Sequence, residues 1–497
     1  MARLRLEIRR FFMPYKVHPP AGPALLGYDP WSELPEDHLA RLVDKVVDSV
    51  EFPQERSGLG QSGYHPHMLA KVLLYAYATG IFSSRRMDAN CGDSLSYLYL
   101  TRGSRPSYHV LSDARTLYKD LLERVWLALL ATASSEGMPY VGRIYVDATR
   151  IKANSSGDLV VEAKDYDELM GRLTELLERS REVDARESED GVSVKTQTGV
   201  NVSKVQIRTV VRSLGKDAPV GEIGPKMRIR LDECVKTLET AKKSELKHVS
   251  LSDPDARLMR IGASKSVSMG HALEVAADSG LLVAGGTTNA PVDTGRLSGL
   301  VEAAKAVTGK VDEVAADSGY FDANQLTELM NSGLNVVVPD ATTASHMRRG
   351  EFPDQGDRVQ FERMEERDAY RCPKGNVLTL RRREPNGRAQ YEAVRSCRGC
   401  PLADKCLQRP NARHRTIWVR SHAKRITAYL AGFADPSVQA KYYARGPGVE
   451  TVFALLKRIL GFRQWSVRGS EKVAAEASLL KCAYQVRKLQ SWTTRTA

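Results

Sequence analysis

Apolar positions recur at helical spacing through the first quarter of the chain. Residues 34–50 read as one amphipathic helix, and a turn-rich stretch follows from Phe52 to Pro66. From His67 to Thr79 the spacing stacks Leu69, Val72, Leu73 and Ala76 on one face, with Gly80 as the stop. Shorter helical runs cover 83–91 and 93–101, and Pro106–Ser107 opens a longer helix to about Ala133 with Ser107 as its N-cap. This pattern predicts a helical domain over residues 1–136, of a kind that serves as a DNA-binding unit or as a scaffold.

The period changes at Val141. Residues 141–147, VGRIYVD, predict a strand that ends in an acid. Helical spacing returns at 159–186, with Leu169, Leu173, Leu176, Leu177 and Val183 on one face, and again at 224–247. Residues 157–250 therefore read as an inserted helical hairpin with a polar, flexible tip over 187–222. Strands at 265–277 and 281–288 flank the turn signature Asp278-Ser279-Gly280. A helix at 293–307, a strand at 311–317, a helix capped by Asp322 and running to Met330, and a strand at 334–338 complete the set. Strands alternating with helices predict an α/β fold, a mixed sheet covered by helices. Residues 340–446 form a long insertion too poor in apolar residues to fold alone, and helices are predicted at 447–460 and 468–490.

Composition adds little to this picture until it is resolved along the chain. Hydrophobic residues make up 42% and charged residues 27% of 497, which excludes a mostly disordered chain. No window is apolar enough for a membrane span, and the basic N-terminus lacks the apolar core of a secretory signal. The net charge is +13, but residues 371–497 alone carry +19 and residues 1–370 carry −6. Such asymmetry points to a polyanionic partner at the C-terminal end, with nucleic acid the commonest and a solvated basic face the plain alternative.

Against that background two acids stand out. Asp147 closes the first strand and Asp317 closes a later one that follows a helix. A helical crossover can set the two strands parallel and adjacent, bringing the carboxylates together. Carboxylates so placed repel unless cations bridge them, and a pair of Mg²⁺ ions is the usual solution in phosphoryl chemistry. Asp278 lies in a nearly identical AADSG string, but in a hairpin turn where Asp is expected for turn reasons alone. A third acid, Glu450, falls in the first turn of the helix predicted to begin near Gly448, two turns before Lys457 on the same edge. Tyr442 and Arg445 precede it, and Gly446-Pro447-Gly448 reads as a bend.

With these residues in place the chain resembles the transposases of bacterial insertion sequences that use an Asp-Asp-Glu triad on a ribonuclease H-like fold. VDATRIKANSS resembles the segment around that family's first Asp (Asp147), and VAADSGYF the segment around its second (Asp317). Tyr442-x2-Arg445-x4-Glu450-x6-Lys457 resembles the Tyr-Arg-Glu-Lys signature of the subgroup related to insertion sequence four, although the commonest spacing has three residues between Arg and Glu. The helical segment HPHMLAKVLLYAYATGIFSSRRM resembles the N-terminal domain of related elements.

The resemblance implies a catalytic domain over 137–497, interrupted by the insertions 157–250 and 340–446. It implies catalysis and Mg²⁺ (or Mn²⁺) binding by Asp147, Asp317 and Glu450, and DNA phosphate contacts by Tyr442, Arg445 and Lys457. By the same resemblance, metal-bound water would cut the phosphodiester at the element's end, and the freed 3′-hydroxyl would attack the opposite strand or target DNA. It also implies double-stranded DNA with terminal inverted repeats as partner, a homodimer in the synaptic complex, and a cytoplasmic place on the bacterial nucleoid. Trp418 and Trp465 are candidates to hold a flipped base, with core packing as the plainer use. The rival readings are another ribonuclease H-like nuclease or resolvase, and a DNA-binding protein without catalysis.

The seven cysteines do not form a disulfide framework: the number is odd and the context is not secretory. Cys372-x24-Cys397-x2-Cys400-x5-Cys406 crowds four thiols into an insertion whose residues 371–430 hold fifteen Lys and Arg against three acids. Four thiolates with no open position predict a structural Zn²⁺ site. Cys91, Cys234 and Cys482 read as buried helix residues, and His65, His67 and His109 are assigned no metal.

Overall fold

The computed structural model describes residues 33–51, 63–189, 225–262, 266–350, 361–364, 366–384, 388–407, 412–420 and 423–496. Six helices open it, from Leu39–Asp48 to Lys119–Ser135. The single helix expected from Ser107 onward is two, Tyr108–Leu117 and Lys119–Ser135, meeting at Tyr118, and the Ser107 side chain makes no capping bond. These helices share one contiguous core with the sheet that follows. Trp126 donates to the Leu282 carbonyl at 3.2 Å. The last helix, Ser470–Thr496, packs between the helices and the sheet: Cys482 Sγ reaches the Leu122 carbonyl and Tyr484 Oη the Gly280 carbonyl.

β1 spans Arg143–Lys152. The short strands β2 (Val160–Glu162) and β3 (His248–Ser250) pair at the base of the first insertion. Its helices Tyr166–Glu189 and Pro225–Lys243 pack on a small core of their own around Leu169, Leu173, Leu231 and Leu238. The flexible tip expected there lies almost wholly outside the described residues. The main sheet continues with β4 (Arg257–Ile261), β5 (Ser266–Asp278), β6 (Leu281–Thr288), β7 (Glu313–Ala316) and β8 (Asn335–Val337). β5 runs antiparallel to β1 on one edge and to β4 and β6 on the other. β7 and β8 continue the sheet from the far side of β1 as parallel strands.

The hairpin turn holds as expected, with Ser279 and Gly280 both at positive φ. Asp278 does more than form it. Its buried carboxylate accepts the Val141 and Gly142 amides at 3.1 and 2.9 Å and anchors the entry to β1.

The second insertion departs from expectation. It builds a five-stranded antiparallel sheet, in the order β13 (Thr416–Arg420), β12 (Arg388–Ala393), β11 (Val377–Arg383), β10 (Ala369–Arg371) and β9 (Glu362–Met364). One face of it buries Tyr370, Leu378, Ala389, Tyr391 and Ala393. Five residues at alternating positions close a small core that a count of apolar residues does not reveal. The helices Ala423–Ala431 and Pro436–Tyr443 then return the chain to the main sheet. Tyr429 Oη bonds both the amide and the carbonyl of Val338, and Lys441 pairs with Glu313 at 2.8 Å. Among the described residues no helix is long and apolar enough to cross a membrane.

Candidate functional site

β1 is longer than its sequence suggested, so Asp147 stands in mid-strand rather than at the end. The apolar run stops at Val146, but pairing with β5 continues to Lys152. Pairing with β7 does stop, at Val146 opposite Ala316. The next residues in that parallel register are Asp147 and Asp317. Asp317 leaves the sheet to cap the short turn Ser318–Tyr320, with Oδ1 accepting the Gly319 amide at 2.8 Å.

Tyr145, Asp147 and Thr149 alternate onto one face of β1, and the helical segment 444–459 lies against it. Gly448 touches the Tyr145 ring so closely that a Cβ there would stand 2.2 Å from Cδ2. Arg445 Nη1 donates to Asp147 Oδ2 at 2.8 Å, and Lys457 Nζ donates to the Thr149 hydroxyl. The Arg445 guanidinium also lies over the Tyr442 ring, 5.6 Å from its centre, and its buried Nε has no hydrogen-bond partner.

Gly446-Pro447-Gly448 is not a bend. Arg445 is already helical, and residues Gly446–Glu450 form a π-helical turn. A π-turn absorbs one extra residue in a helix. Positions five apart then share a side, as positions four apart do in an α-helix. The four-residue gap between Arg445 and Glu450 is therefore accommodated without rotating Glu450 away. Glu450 is exposed, and its Oε1 folds back to 3.7 Å from the point where a Cβ would stand on Gly446.

Burial holds the Asp147 carboxyl at about 6. The Arg445 charge opposes this and the neighbouring Asp317 charge adds to it. Lys457 is pushed below its ordinary value, mainly by burial and then by Arg463. The Asp317 charge thus acts on Asp147 at the end of the β1–β7 register. Glu450 belongs to the helical segment packed beside them without touching either. Among the described residues, no three His, Cys, Asp or Glu side chains stand as a ready metal-binding group.

The cysteines Cys372, Cys397, Cys400 and Cys406 line one cavity of about 340 Å³ in the second insertion. Cys372 Sγ accepts the Asn376 amide at 3.2 Å and Cys397 Sγ the Arg415 amide at 3.4 Å. Cys406 is raised by burial, eased by Arg415, and raised again by its three neighbours. Cys91, Cys234 and Cys482 are buried in helices, as expected. Trp465 is 1% exposed and donates to the His271 carbonyl, so it is a core residue, whereas Trp418 is 40% exposed on β13.

Four residues around Asp317 carry no signal in the sequence: Glu274, Asp293, Arg296 and Tyr320. The Arg296 fork holds Glu274 at 2.5 and 2.6 Å, and Arg150 holds Asp293 at 2.9 Å. Their only hint was position: Glu274 within β5, Asp293 and Arg296 in the loop after β6, and Tyr320 beside Gly319 in the DSGY string.

Comparison with known proteins returns two family models. One described as a transposase DDE domain matches residues 371–490, and one described as a transposase domain of the DUF772 type matches residues 31–117. The first covers Tyr442, Arg445, Glu450, Lys457 and the four clustered cysteines; the second covers the N-terminal helices. No curated protein matches the chain. Two models of transposase domains match opposite ends of one chain, and together they support an insertion-sequence DDE transposase.

Proposed function

We propose that the protein cuts DNA at the ends of a mobile element and joins the freed 3′-hydroxyls to target DNA, with Asp147, Asp317 and Glu450 as its acidic triad. The observation that supports this reading is the parallel register of β1 and β7, which ends one residue short of Asp147 and Asp317, with Arg445 donating to Asp147. One guanidinium does not neutralise two carboxylates, and the residual charge fits a divalent cation, Mg²⁺ or Mn²⁺. The sheet order β6-β5-β1-β7-β8, with β5 antiparallel to both its neighbours and β6, β7 and β8 running parallel to β1, supports a ribonuclease H-like catalytic unit over 137–497. That unit follows a DNA-binding N-terminal region, 1–136, and carries the insertions 157–250 and 340–446.

Bound at Asp147 and Asp317, divalent cations would polarise the scissile phosphate and acidify an attacking water. The chain's residues do the positioning. Glu450, exposed on the π-turn beside the two aspartates, would complete the acidic set. Arg445 would offer its guanidinium to a phosphate oxygen, Tyr442 supports its plane, and Lys457 would supply a point charge. In each step an oxygen nucleophile forms a bond to phosphorus and the P–O3′ bond breaks, the departing O3′ taking up a proton. A homodimer would hold two ends at once.

Strand transfer separates this from a nuclease or resolvase. Given a pre-cut end with a free 3′-hydroxyl and Mg²⁺, the protein is expected to produce joined target DNA; cleavage without joining would favour the resolvase reading, and neither reaction would favour a non-catalytic binding protein.

The pH dependence follows from Asp147. Its folded value, about 6, lies above the ordinary 3.8. The stability this group contributes is complete below the ordinary value and is lost as pH rises through about 6. A cation restores what ionisation removes. Added Mn²⁺ is therefore expected to raise the melting temperature more at pH 7.5 than at pH 5, checked by scanning fluorimetry.

The four clustered cysteines fit a structural Zn²⁺. Backbone amides already donate to two of the sulfurs, as they do to thiolate ligands, and the four residues line a common cavity. Purified protein is expected to contain about one zinc per chain by elemental analysis, and Cys397→Ser with Cys400→Ser to remove it.

A further inference from the structure

Asp293 lies between β6 and the helix Leu297–Thr308, outside both family matches. It is 7% exposed. Its Oδ2 accepts from Arg150, and its Oδ1 is buried with no hydrogen-bond partner. The Asp317 turn closes against it: a Cβ on Gly319 would stand 3.0 Å from Asp317 Oδ1 and 3.2 Å from Asp293 Oδ2. The missing side chain lets the two carboxylates approach from either side of that backbone. Tyr320, the next residue, is fully buried, and its hydroxyl also lacks a partner. Burial raises its pKa, and Glu274, Asp293, Asp147 and Asp317 raise it further, in that order.

Charge is uneven in this cluster. Arg150 pairs with Asp293, Arg296 with Glu274 and Arg445 with Asp147, while among the described residues no basic side chain forms an ion pair with Asp317. Four carboxylates thus meet three guanidiniums, with the Lys457 charge acting on Asp147, and Asp293, across Gly319 from the unpaired Asp317, holds a carboxylate oxygen without a partner. A water would satisfy that oxygen but leave the charge. A divalent cation answers both, and Mg²⁺ typically takes only one or two protein carboxylates and fills the rest of its shell with water.

We propose that Asp293 is a further cation ligand of this site, sharing a divalent ion with Asp317 through its free Oδ1. The proposal rests on the reading that Asp147 and Asp317 hold divalent cations, and the test separates the two.

Mn²⁺ alone is titrated into the full chain without DNA, by calorimetry. D293N keeps the shape and an oxygen for Arg150, and is expected to weaken Mn²⁺ binding at least tenfold or to remove one equivalent. D147N gauges the underlying reading. If D147N binds as the unmodified chain does, that reading fails; if D147N is impaired while D293N is not, only the present proposal is overturned. R150Q frees Asp293 Oδ2 from its competing guanidinium with every carboxylate in place, and is expected to tighten binding several-fold. Should D293N fail to unfold cooperatively, R150Q decides, and unchanged or weakened binding there overturns the proposal.

Discussion

Asp147→Asn is expected to lower divalent-ion-dependent DNA cleavage by at least ~10³-fold, equivalent to about 4 kcal/mol of transition-state stabilisation. The substitution is nearly isosteric and keeps an oxygen to accept from Arg445 Nη1, so the strand and the guanidinium stay where they are. What it removes is one of two adjacent negative charges in a buried setting, where charge is poorly screened and cation affinity depends on it. DNA binding, carried by the basic surface, is expected to persist. Single-turnover cleavage and a binding titration on the same preparation separate the two effects. Asp278→Asn is the matched control: Asp278 sits in the same AADSG string but anchors the Val141 and Gly142 amides. It is expected to lower the melting temperature and to leave cleavage per folded molecule largely intact. Full cleavage by Asp147→Asn protein would remove Asp147 from the chemistry.

The contrast between these two aspartates marks how far the sequence could be read. A strand after a helical crossover pointed to Asp317 lying beside Asp147, and the two strands are parallel neighbours whose register ends at Val146 and Ala316, one residue short of each Asp. The extent of β1 was less legible. Ala148, Thr149, Arg150 and Lys152 break the apolar run, yet they pair with β5, because sheet length is set by the partner strand as well as by local pattern. Asp278 was read as a turn residue because a turn signature explains it; its longer-range bonds to two amides need the fold.

The second insertion was misjudged for a related reason. Its apolar residues are few, but alternation puts Tyr370, Leu378 and Tyr391 on one face. The spacing between Arg445 and Glu450 looked irregular against the commonest three-residue gap, with Arg445 read as preceding the helix, and a π-turn cannot be read from residue identities alone. Asp293 and Tyr320 escaped entirely. Nothing adjacent to them in the chain gives their significance; it comes from a loop, a strand end and a glycine meeting in space.

The most sensitive test of that assembly is at Gly448. Gly448→Ala adds a single methyl group, and on helix propensity alone it should stabilise the protein by up to about 1 kcal/mol. The site reverses the sign. The new Cβ would stand 2.2 Å from Tyr145 Cδ2 and 2.7 Å from Cγ, against carbon contacts of roughly 3.5–4.0 Å. The crowded atoms belong to the root of the ring rather than its tip, so a rotamer change does not clear them, and the helix must move away from β1 by more than about 1 Å. Such overpacking typically costs about 1–3 kcal/mol. The displacement also acts on function, because Arg445 and Lys457 ride on the same helical segment and reach Asp147 and Thr149 on the face that Tyr145 shares. A misplacement of ~1 Å can lower a rate ~10²-fold. Gly448→Ala is therefore expected to lower both the melting temperature and cleavage, the latter by about 10²-fold, with Tyr145→Ala in the same chain recovering part of each. A double-mutant cycle on stability should then show a favourable coupling of at least ~1 kcal/mol. A higher melting temperature with unchanged cleavage would mean that the helix does not rest on Tyr145, and that Arg445 reaches Asp147 by some other support.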